Sequence, residues 1–224
     1  MQKERVFYME EKEERKEEFT EEQPSQGKRS FLYDVYSLLH DLAYILAAIT
    51  LIFVFCVRLV GVSGASMEPT LKDGDYLALQ SNVIMGDLEY GDIIVARDLD
   101  FRDGEPIVKR VIATEGQTVR IDYNANTVSV NGVVLNEPYI RDQDIIQPSY
   151  QQYGTVVADG VIEILVDQDC IFVMGDNRNM SADVRHIDIG QIKLDQVLGK
   201  VLLVVLPAAD VTGSRDFSRF GTVS

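Results

Sequence analysis

Residues 42–57 have the sequence LAYILAAITLIFVFCV, a run of 16 residues without a charged side chain. This is slightly fewer than the ~20 residues that span a bilayer. The run reaches 21 residues if it continues past Arg58 to Val62. Arg58 can extend its guanidinium to the lipid–water interface, so it permits this extension. An amphipathic core helix would show a polar stripe, which this stretch lacks. The sequence therefore predicts a membrane-spanning helix.

The same run has a second interpretation as part of a cleavable secretion signal. The small residues Ser63, Gly64 and Ala65 follow it, as at a signal cleavage site. However, the polar region before the run is far longer than the charged start of a usual signal. We therefore expect an anchor over 31–62, preceded by a charged, solvated tail over 1–30. Two basic residues flank the span on each side, so charge does not orient it.

The composition of the chain excludes several classes of protein. A net charge of -15 argues against a nucleic-acid partner, which would call for a basic face. One of the two cysteines, Cys56, lies in the apolar run and the other, Cys170, lies far downstream, so we expect no disulfide. The chain has no His and Cys cluster for zinc and no acidic spacing of the calcium-loop type. We expect neither a metal ion nor another cofactor.

After Val62 the hydrophobic pattern becomes that of β-strands, and no later run has a sustained helical period. The pattern predicts a mainly β, antiparallel barrel or coiled sheet with a core over 63–121 and 164–207. The stretch 122–163 is rich in Asn, Gln, Tyr and Pro, and we expect it to form an inserted, smaller β subdomain that begins near an Asn-Gly hairpin signal. The tail over 208–224 looks loose. The strand-like runs are 76–79, 93–96, 108–112, 119–122, 128–135, 162–166, 170–174 and 201–206.

A serine and a lysine stand in distinctive local sequences. Ser66 lies in SGASMEPTL, residues 63–71, and Lys109 lies in VKRVI, residues 108–112. Because strand side chains alternate, Lys109 shares a face with apolar neighbours, and loss of hydration disfavours its ammonium form. The pKa of this amine could fall from its ordinary value of about 10.4 toward neutrality, which would make it a base for a serine hydroxyl. Arg110 would point the opposite way, as an ordinary charge.

Histidine is the commoner partner of a nucleophilic serine, but this chain has only two. His40 lies at the start of the apolar run, so His186 is the one alternative base outside the membrane. A third segment, residues 175–185, has the sequence GDNRNMSADVR. By itself it looks like a charged turn.

Together these three segments resemble the bacterial type I signal peptidases, which are membrane-anchored serine proteases with a Ser-Lys pair. The resemblance extends from about residue 40 to residue 207. It implies the signal peptidase/LexA-like fold, with Ser66 as the nucleophile and Lys109 as the general base. It also implies that the substrates are secretory preproteins with signal peptides.

The resemblance assigns supporting roles to the third segment. The hydroxyl of Ser181 would hydrogen-bond the lysine amine. Asp183 and Arg185 would form ion pairs that brace the loop, and Asp176 would support them. These roles come from the matching positions of the family and not from the spacing of the residues.

The substrate pocket is assigned by proximity in the sequence. The resemblance implies small side chains at the first and third substrate positions before the cut. Met67 and Val108 lie beside the two reactive residues and are expected to form pocket walls. Gly64 stands where some members carry a serine that donates to the oxyanion, so the backbone N–H of Ser66 is the first candidate donor.

We expect a monomer held in the cell membrane by one helix, with its N-terminus in the cytoplasm and its catalytic domain outside. Two alternatives remain open. A self-cleaving, repressor-type Ser-Lys protease would need a DNA-binding head, and residues 1–40 contain no basic helix-turn-helix pattern. A catalytically silent, membrane-anchored β module would use the polar loop to bind a partner.

Overall fold

A computed structural model of the chain describes residues 31–97, 104–141, 145–148 and 152–223. The predicted tail over 1–30 lies outside these residues. Within them the chain forms one α-helix, thirteen β-strands and two short 3-10 helices, which confirms the mainly β prediction. The chain divides into two compact units between Ala48 and Ile49.

Helix α1 spans Phe31–Phe55 and none of its side chains is buried. Its 25 residues rise about 38 Å, enough to cross a hydrocarbon core of about 30 Å. Its most apolar window has a mean hydropathy of 2.2, and no other helix in the described ranges is long and apolar enough to span a membrane. These properties fit the predicted anchor.

The helix is shorter than the anchor predicted over 31–62. Residues Val57–Gly61 form strand β1, which pairs with β2 (Tyr76–Ser81) from Val57 opposite Gln80 to Gly61 opposite Tyr76. Arg58 therefore lies in a strand and not in the last turn of a helix. A short apolar run rich in valine fits either structure, and hydrogen bonds from a distant strand decide between them.

The larger sheet has eight antiparallel strands in the order β1-β2-β12-β3-β4-β10-β11, with β13 paired to β12. Bulges interrupt the register of β12 with both of its main neighbours and of β10 with β4. Bulges bend a strand and increase its twist, so this sheet curls as the pattern predicted. Its remaining strands are β3 (Ile93–Ala96), β4 (Ile107–Thr114), β10 (Cys170–Met174), β11 (Ile192–Lys193), β12 (Val197–Leu206) and β13 (Gly221–Thr222).

The smaller sheet has five antiparallel strands in the order β7-β6-β5-β9-β8. It begins at Thr118 and includes residues that the sequence pattern had assigned to the core. Asn131 and Gly132 both have positive φ, 51° and 80°, as the predicted hairpin turn requires. Its strands are β5 (Thr118–Asp122), β6 (Thr127–Val130), β7 (Val133–Val134), β8 (Thr155–Ala158) and β9 (Val161–Leu165).

Two hydrophobic clusters fill the β unit. The first joins the facing sides of both sheets and includes Ile121, Ile162 and Phe172. The second packs Met67 and Leu71 against side chains from β2, β3, β4 and β12. The segment that carries Ser66 therefore rests on the larger sheet through its own apolar residues. Cys56 and Cys170 are free thiols.

The C-terminal residues are packed, contrary to the expectation of a loose tail. Strand β13 pairs with β12, and the 3-10 helix Phe217–Arg219 is capped by the Asp216 side chain. Arg219 forms an ion pair with the buried Asp75. The sequence pattern missed this order because the segment has few apolar residues and depends on one distant partner.

Candidate active site

Ser66 lies in a closed loop of residues 62–75, here called the Ser66 loop. Its two ends meet, since Gly74 N–H donates to Val62 O and Val62 N–H donates to Asp75 O. Gly64 has φ of +87°, a conformation that costs little only for glycine, and its N–H donates to Asp73 Oδ1 at 2.9 Å. Ser66 itself is partly exposed. The loop therefore presents its serine at the surface while its ends are tied together.

Lys109 lies on β4, 43 residues from Ser66, and its side chain reaches the serine. The residue is only 3% exposed. Its Nζ lies 2.8 Å from Ser66 Oγ and 2.9 Å from the carbonyl oxygen of Val108. The structure thus brings together the two residues that the sequence singled out.

This contact can support proton transfer. Burial removes water from the amine and disfavours its charged form. A neutral amine has two N–H groups and one lone pair, so it can donate to Val108 O and accept from the Ser66 hydroxyl. A serine whose proton is accepted in this way becomes a competent nucleophile.

The backbone N–H of Ser66 is free for a further partner. Among the residues that the structure describes, no acceptor lies within hydrogen-bond distance of it. An N–H group beside a nucleophile can donate to the oxyanion that forms when a carbonyl is attacked.

Arg110 is not the ordinary charge that the strand pattern predicted. It is 2% exposed, and its Nε and Nη2 donate to the two carboxylate oxygens of Asp176 at 2.9 and 2.7 Å. Its guanidinium carbon lies 3.9 Å from the ring centroid of Tyr139. Burial alone would lower the pKa of Arg110, but Asp176 raises it above its ordinary value, so the side chain stays a cation.

Asp176 joins this ion pair to the Ser66 loop. Its Oδ2 accepts a hydrogen bond of 2.5 Å from Thr70 Oγ1, in addition to the two from Arg110. Asp176 is fully buried. The carboxylate therefore connects strand β4, the loop over 175–185 and the Ser66 loop.

Asp183 and Arg185 form a second buried ion pair. Arg185 Nε donates to Asp183 Oδ1 at 2.8 Å, and its Nη2 donates to Oδ2 at 3.0 Å. Gly175 N–H donates to the same carboxylate at 3.1 Å. Burial would raise the pKa of Asp183, but the charge and hydrogen bonds of Arg185 hold it below its ordinary value. Asp183 therefore stays ionised and closes the loop on its own first residue.

Ser181 is buried beside the reactive serine but does not make the bond that the resemblance implied. Its Oγ has no hydrogen-bond partner among the described residues. A Cβ atom on Gly175 would collide with Ser181 Oγ and with the carbonyl oxygen of Ser66. The amine of Lys109 is instead engaged by Ser66 and Val108.

The three expected pocket residues lie in different environments. Met67 is 1% exposed and is packed in the second hydrophobic cluster with Val108. Gly64 is exposed. Met67 acts chiefly as the apolar foot of the Ser66 loop.

Asn177 is a contact that the sequence reasoning missed. Its Nδ2 donates to Ala65 O and its backbone N–H donates to Ser66 O, each at 3.0 Å. One residue thus holds the two carbonyl groups on either side of the Ser66 N–H. Its position two residues after Gly175 offered no signal, because the bonded residues are more than a hundred positions away.

A segment of the region predicted as an insertion also packs against the site. Arg178 forms a buried, bidentate ion pair with Glu137, with distances of 2.9 and 2.5 Å. Arg141 donates from its backbone to Asp176 O and from its side chain to Glu68 in the Ser66 loop. Burial and the charge of Glu137 raise the pKa of Tyr139, which stays protonated and donates to Glu137. These partners are dozens of residues apart in the chain, so no local pattern announces them.

His186 takes part in a turn. Its Nδ1 accepts a hydrogen bond from Asp188 N–H at 3.2 Å, whereas the hydrogen-bond partner of Ser66 Oγ is Lys109. Within the described ranges, no three His, Cys, Asp or Glu side chains are grouped so as to hold a metal ion.

A curled β domain with a buried serine–lysine contact and one apolar N-terminal helix defines a membrane-anchored serine peptidase. The model of the family described as signal peptidase, peptidase S26, matches residues 36–206. The chain therefore belongs to the signal peptidase family.

Similar proteins agree with this assignment. The chain is 37% identical to a signal peptidase I of Bacillus caldolyticus over 148 residues, which are 62% of this chain and 74% of that protein. It is 31% identical to one of Bacillus licheniformis over 193 residues, 86% and 97% of the two chains. It is 32% identical to signal peptidase IB of Staphylococcus aureus over 176 residues, 73% and 87%. A crystal structure of a signal peptidase I from Enterococcus faecalis matches with 28% identity and a TM-score of 0.38, covering 52% of this chain and 97% of that one.

Proposed function

We propose that this signal peptidase cleaves secretory preproteins with Ser66 as the nucleophile and Lys109 as the general base. The observation that carries the proposal is the 2.8 Å contact between Ser66 Oγ and the amine of the buried Lys109. Membership of the peptidase S26 family supports a serine endopeptidase that removes signal peptides.

The chemistry follows from these atoms. The neutral amine of Lys109 accepts the Ser66 proton while Oγ attacks the carbonyl carbon of the scissile peptide. The Ser66 N–H donates to the oxyanion. Lys109 then returns the proton to the leaving amine, and the acyl-enzyme is hydrolysed by a water whose proton Lys109 accepts.

Substrate choice and topology extend the proposal. The substrate is bound extended, with small side chains at the first and third positions before the cut, and Gly64 and Val108 lie near it. The enzyme acts as a monomer anchored in lipid by α1. Its N-terminus is cytoplasmic and its β domain is outside, because preproteins are cleaved after they have crossed the membrane.

The activity test uses the full chain in detergent micelles with a preprotein. Ser66→Ala should lower kcat by at least about 10⁴-fold, since the nucleophile is lost. Ser63→Ala, an exposed serine of the same loop, is the matched control and should stay within about twofold of the unchanged enzyme. Cleavage by Ser66→Ala at the unchanged rate would contradict the assignment. Replacing the small residue before the cut by Phe should abolish cleavage.

The topology test uses whole cells stripped of their wall. A protease added outside should digest the β domain and leave the N-terminal tail intact. A β domain that is protected until the membrane is opened would contradict the proposed orientation.

A further inference from the structure

The last residues of the chain are built into the β unit. Strand β13 pairs with β12, with Thr222 opposite Leu203 and Gly221 opposite Val204. Val223 packs against the second hydrophobic cluster, which contains Met67 and Leu71 of the Ser66 loop. The segment over 208–223 thus lies next to the apolar foot of the loop that carries the serine.

Arg219 connects this segment to a buried carboxylate of the Ser66 loop. Its Nη1 donates to Asp75 Oδ1 at 2.9 Å and its Nη2 donates to Asp75 Oδ2 at 2.6 Å. The Asp75 side chain is fully buried and that of Arg219 is 17% exposed. Charge-assisted, bidentate pairs of this kind are strong and fix geometry as well as distance.

Asp75 also accepts hydrogen bonds from the backbone on both sides. Lys72 N–H donates to Oδ2 and Ala208 N–H donates to Oδ1, each at 2.7 Å. Burial would raise the pKa of Asp75, but its bonds with Arg219, Lys72 and Ala208 hold the pKa below its ordinary value. One ionised carboxylate thus ties the Ser66 loop to the C-terminal segment.

The contact continues toward the reactive serine. Arg219 Nη2 lies 3.4 Å from the carbonyl oxygen of Thr70, and the hydroxyl of Thr70 donates to Asp176. The Ser66 loop is therefore held on one side by the loop over 175–185 and on the other by the C-terminal segment.

We propose that the segment over 208–223 braces the Ser66 loop and that Arg219 is a positioning residue for the peptidase reaction, which rests on Ser66 being the nucleophile. Arg219 acts through Asp75 and touches no substrate. The segment lies outside residues 36–206, the part of the chain that the family model matches. The brace is thus a feature of this chain beyond the matched region.

Loss of the brace should affect turnover more than binding. Without Arg219, the buried carboxylate of Asp75 loses two donors, and the loop can shift relative to Lys109. A misplacement of about 1 Å at a reacting group can cost about 100-fold in rate. The apparent affinity for a long, extended preprotein depends on many other contacts and should change little.

The test measures kcat and KM for a preprotein with the full chain in detergent. Arg219→Gln should lower kcat about tenfold with KM within about twofold, and Arg219→Lys, which keeps the charge, should lose about threefold. Arg215→Gln is the matched control, because Arg215 lies in the same segment but donates to Pro207 O. The control should keep its kcat.

A second readout does not depend on catalysis. Hydrogen exchange of the Ser66 loop amides, those of Lys72 and Gly74 above all, should be faster in Arg219→Gln and unchanged in β10. Asp75→Asn combined with Arg219→Gln should lose no more kcat than the larger single change, since both act through one contact.

Each outcome decides the proposal. Equal kcat and equal loop exchange in Arg219→Gln and Arg215→Gln would overturn it, as would a loss confined to KM. If Arg219→Gln does not fold, an unchanged kcat in Arg219→Lys overturns it instead. An active Ser66→Ala enzyme would refute the proposed function, while faster loop exchange in Arg219→Gln would still report the brace.

Discussion

The Ser66 loop and the loop over 175–185 lie against each other but treat charge in opposite ways. Residues 63–71 contain a single charged side chain, that of Glu68, and Ser66 is partly exposed. The second loop contains two aspartates and two arginines, and all four are buried. One loop presents a reactive group and the other holds charges away from water.

The difference shows how a mobile-looking serine is given a fixed position. Buried ions are costly unless they are paired, so each pair fixes its loop strongly. Asp176 and Asn177 then hold Thr70, Ala65 and Ser66 of the neighbouring loop through hydrogen bonds. The rigidity of the charged loop is passed to the loop that has little charge of its own.

Replacing the base should have the largest effect on the reactive side of this comparison. Lys109→Arg keeps the charge, but a guanidinium stays protonated at any usable pH, so kcat should fall by more than about 10³-fold. Lys109→Met, which keeps the length without the amine, should be as inactive. Both are measured by preprotein cleavage, with folding followed by circular dichroism. Turnover by a folded Lys109→Arg enzyme would remove lysine from the role of base.

Breaking a pair in the charged loop should cost stability instead. Asp183→Asn leaves Arg185 buried without its counter-charge and should lower the free energy of unfolding by about 3–5 kcal/mol. The matched control is Glu163→Gln, whose partner Arg120 is 43% exposed, and it should cost at most about 1 kcal/mol. Denaturant midpoints of the full chain in detergent give both values. Similar costs for the two changes would show that burial does not set the difference.

Acid should unfold the protein through the same carboxylates. The pKa values of Asp183 and Asp75 are lowered in the folded state, so the unfolded chain binds protons more readily. The stabilisation is complete above the ordinary aspartate pKa of about 3.9 and is lost as the pH falls through the lowered values. Denaturant midpoints at pH 7, 5, 4 and 3 should be flat at first and then drop. Asp183→Asn should reduce the drop, and an unchanged drop would exclude Asp183 as its source.

Removing the link between the loops should have a moderate effect on turnover. Asn177→Ala loses the bond to Ala65 O beside the serine and should lower kcat about tenfold. Asn124→Ala removes a similar amide-to-carbonyl bond, to Asp159 O in the smaller sheet, and serves as the control. Equal kcat values for the two variants would mean that Asn177 does not position the Ser66 loop.

The smallest effect is expected at the one alternative base. His186→Ala removes a turn contact with Asp188 and gives up no proton-transfer group of the proposed mechanism, so kcat should stay within about twofold. A folded but inactive His186→Ala enzyme would move the base from Lys109 to His186.

Several elements could be predicted because their signals are local. The apolar helix, the alternating strands and the Asn131-Gly132 turn depend on side-chain type and on spacings of a few residues. All eight predicted strand-like runs coincide with or overlap strands. Strands β1, β8, β11 and β13 were missed, because they are short or irregular and depend on partners elsewhere in the chain.

What the sequence by itself determined is the class of this protein: one apolar span, a β domain and two local frames around Ser66 and Lys109. Only the tertiary structure decided the partners. Ser66 meets Lys109 across 43 residues, Arg110 meets Asp176 across 66, and Arg219 meets Asp75 across 144. The physical reason is that a buried charge or hydroxyl is satisfied by whichever group the strand order brings within about 3 Å, and no local pattern specifies that group.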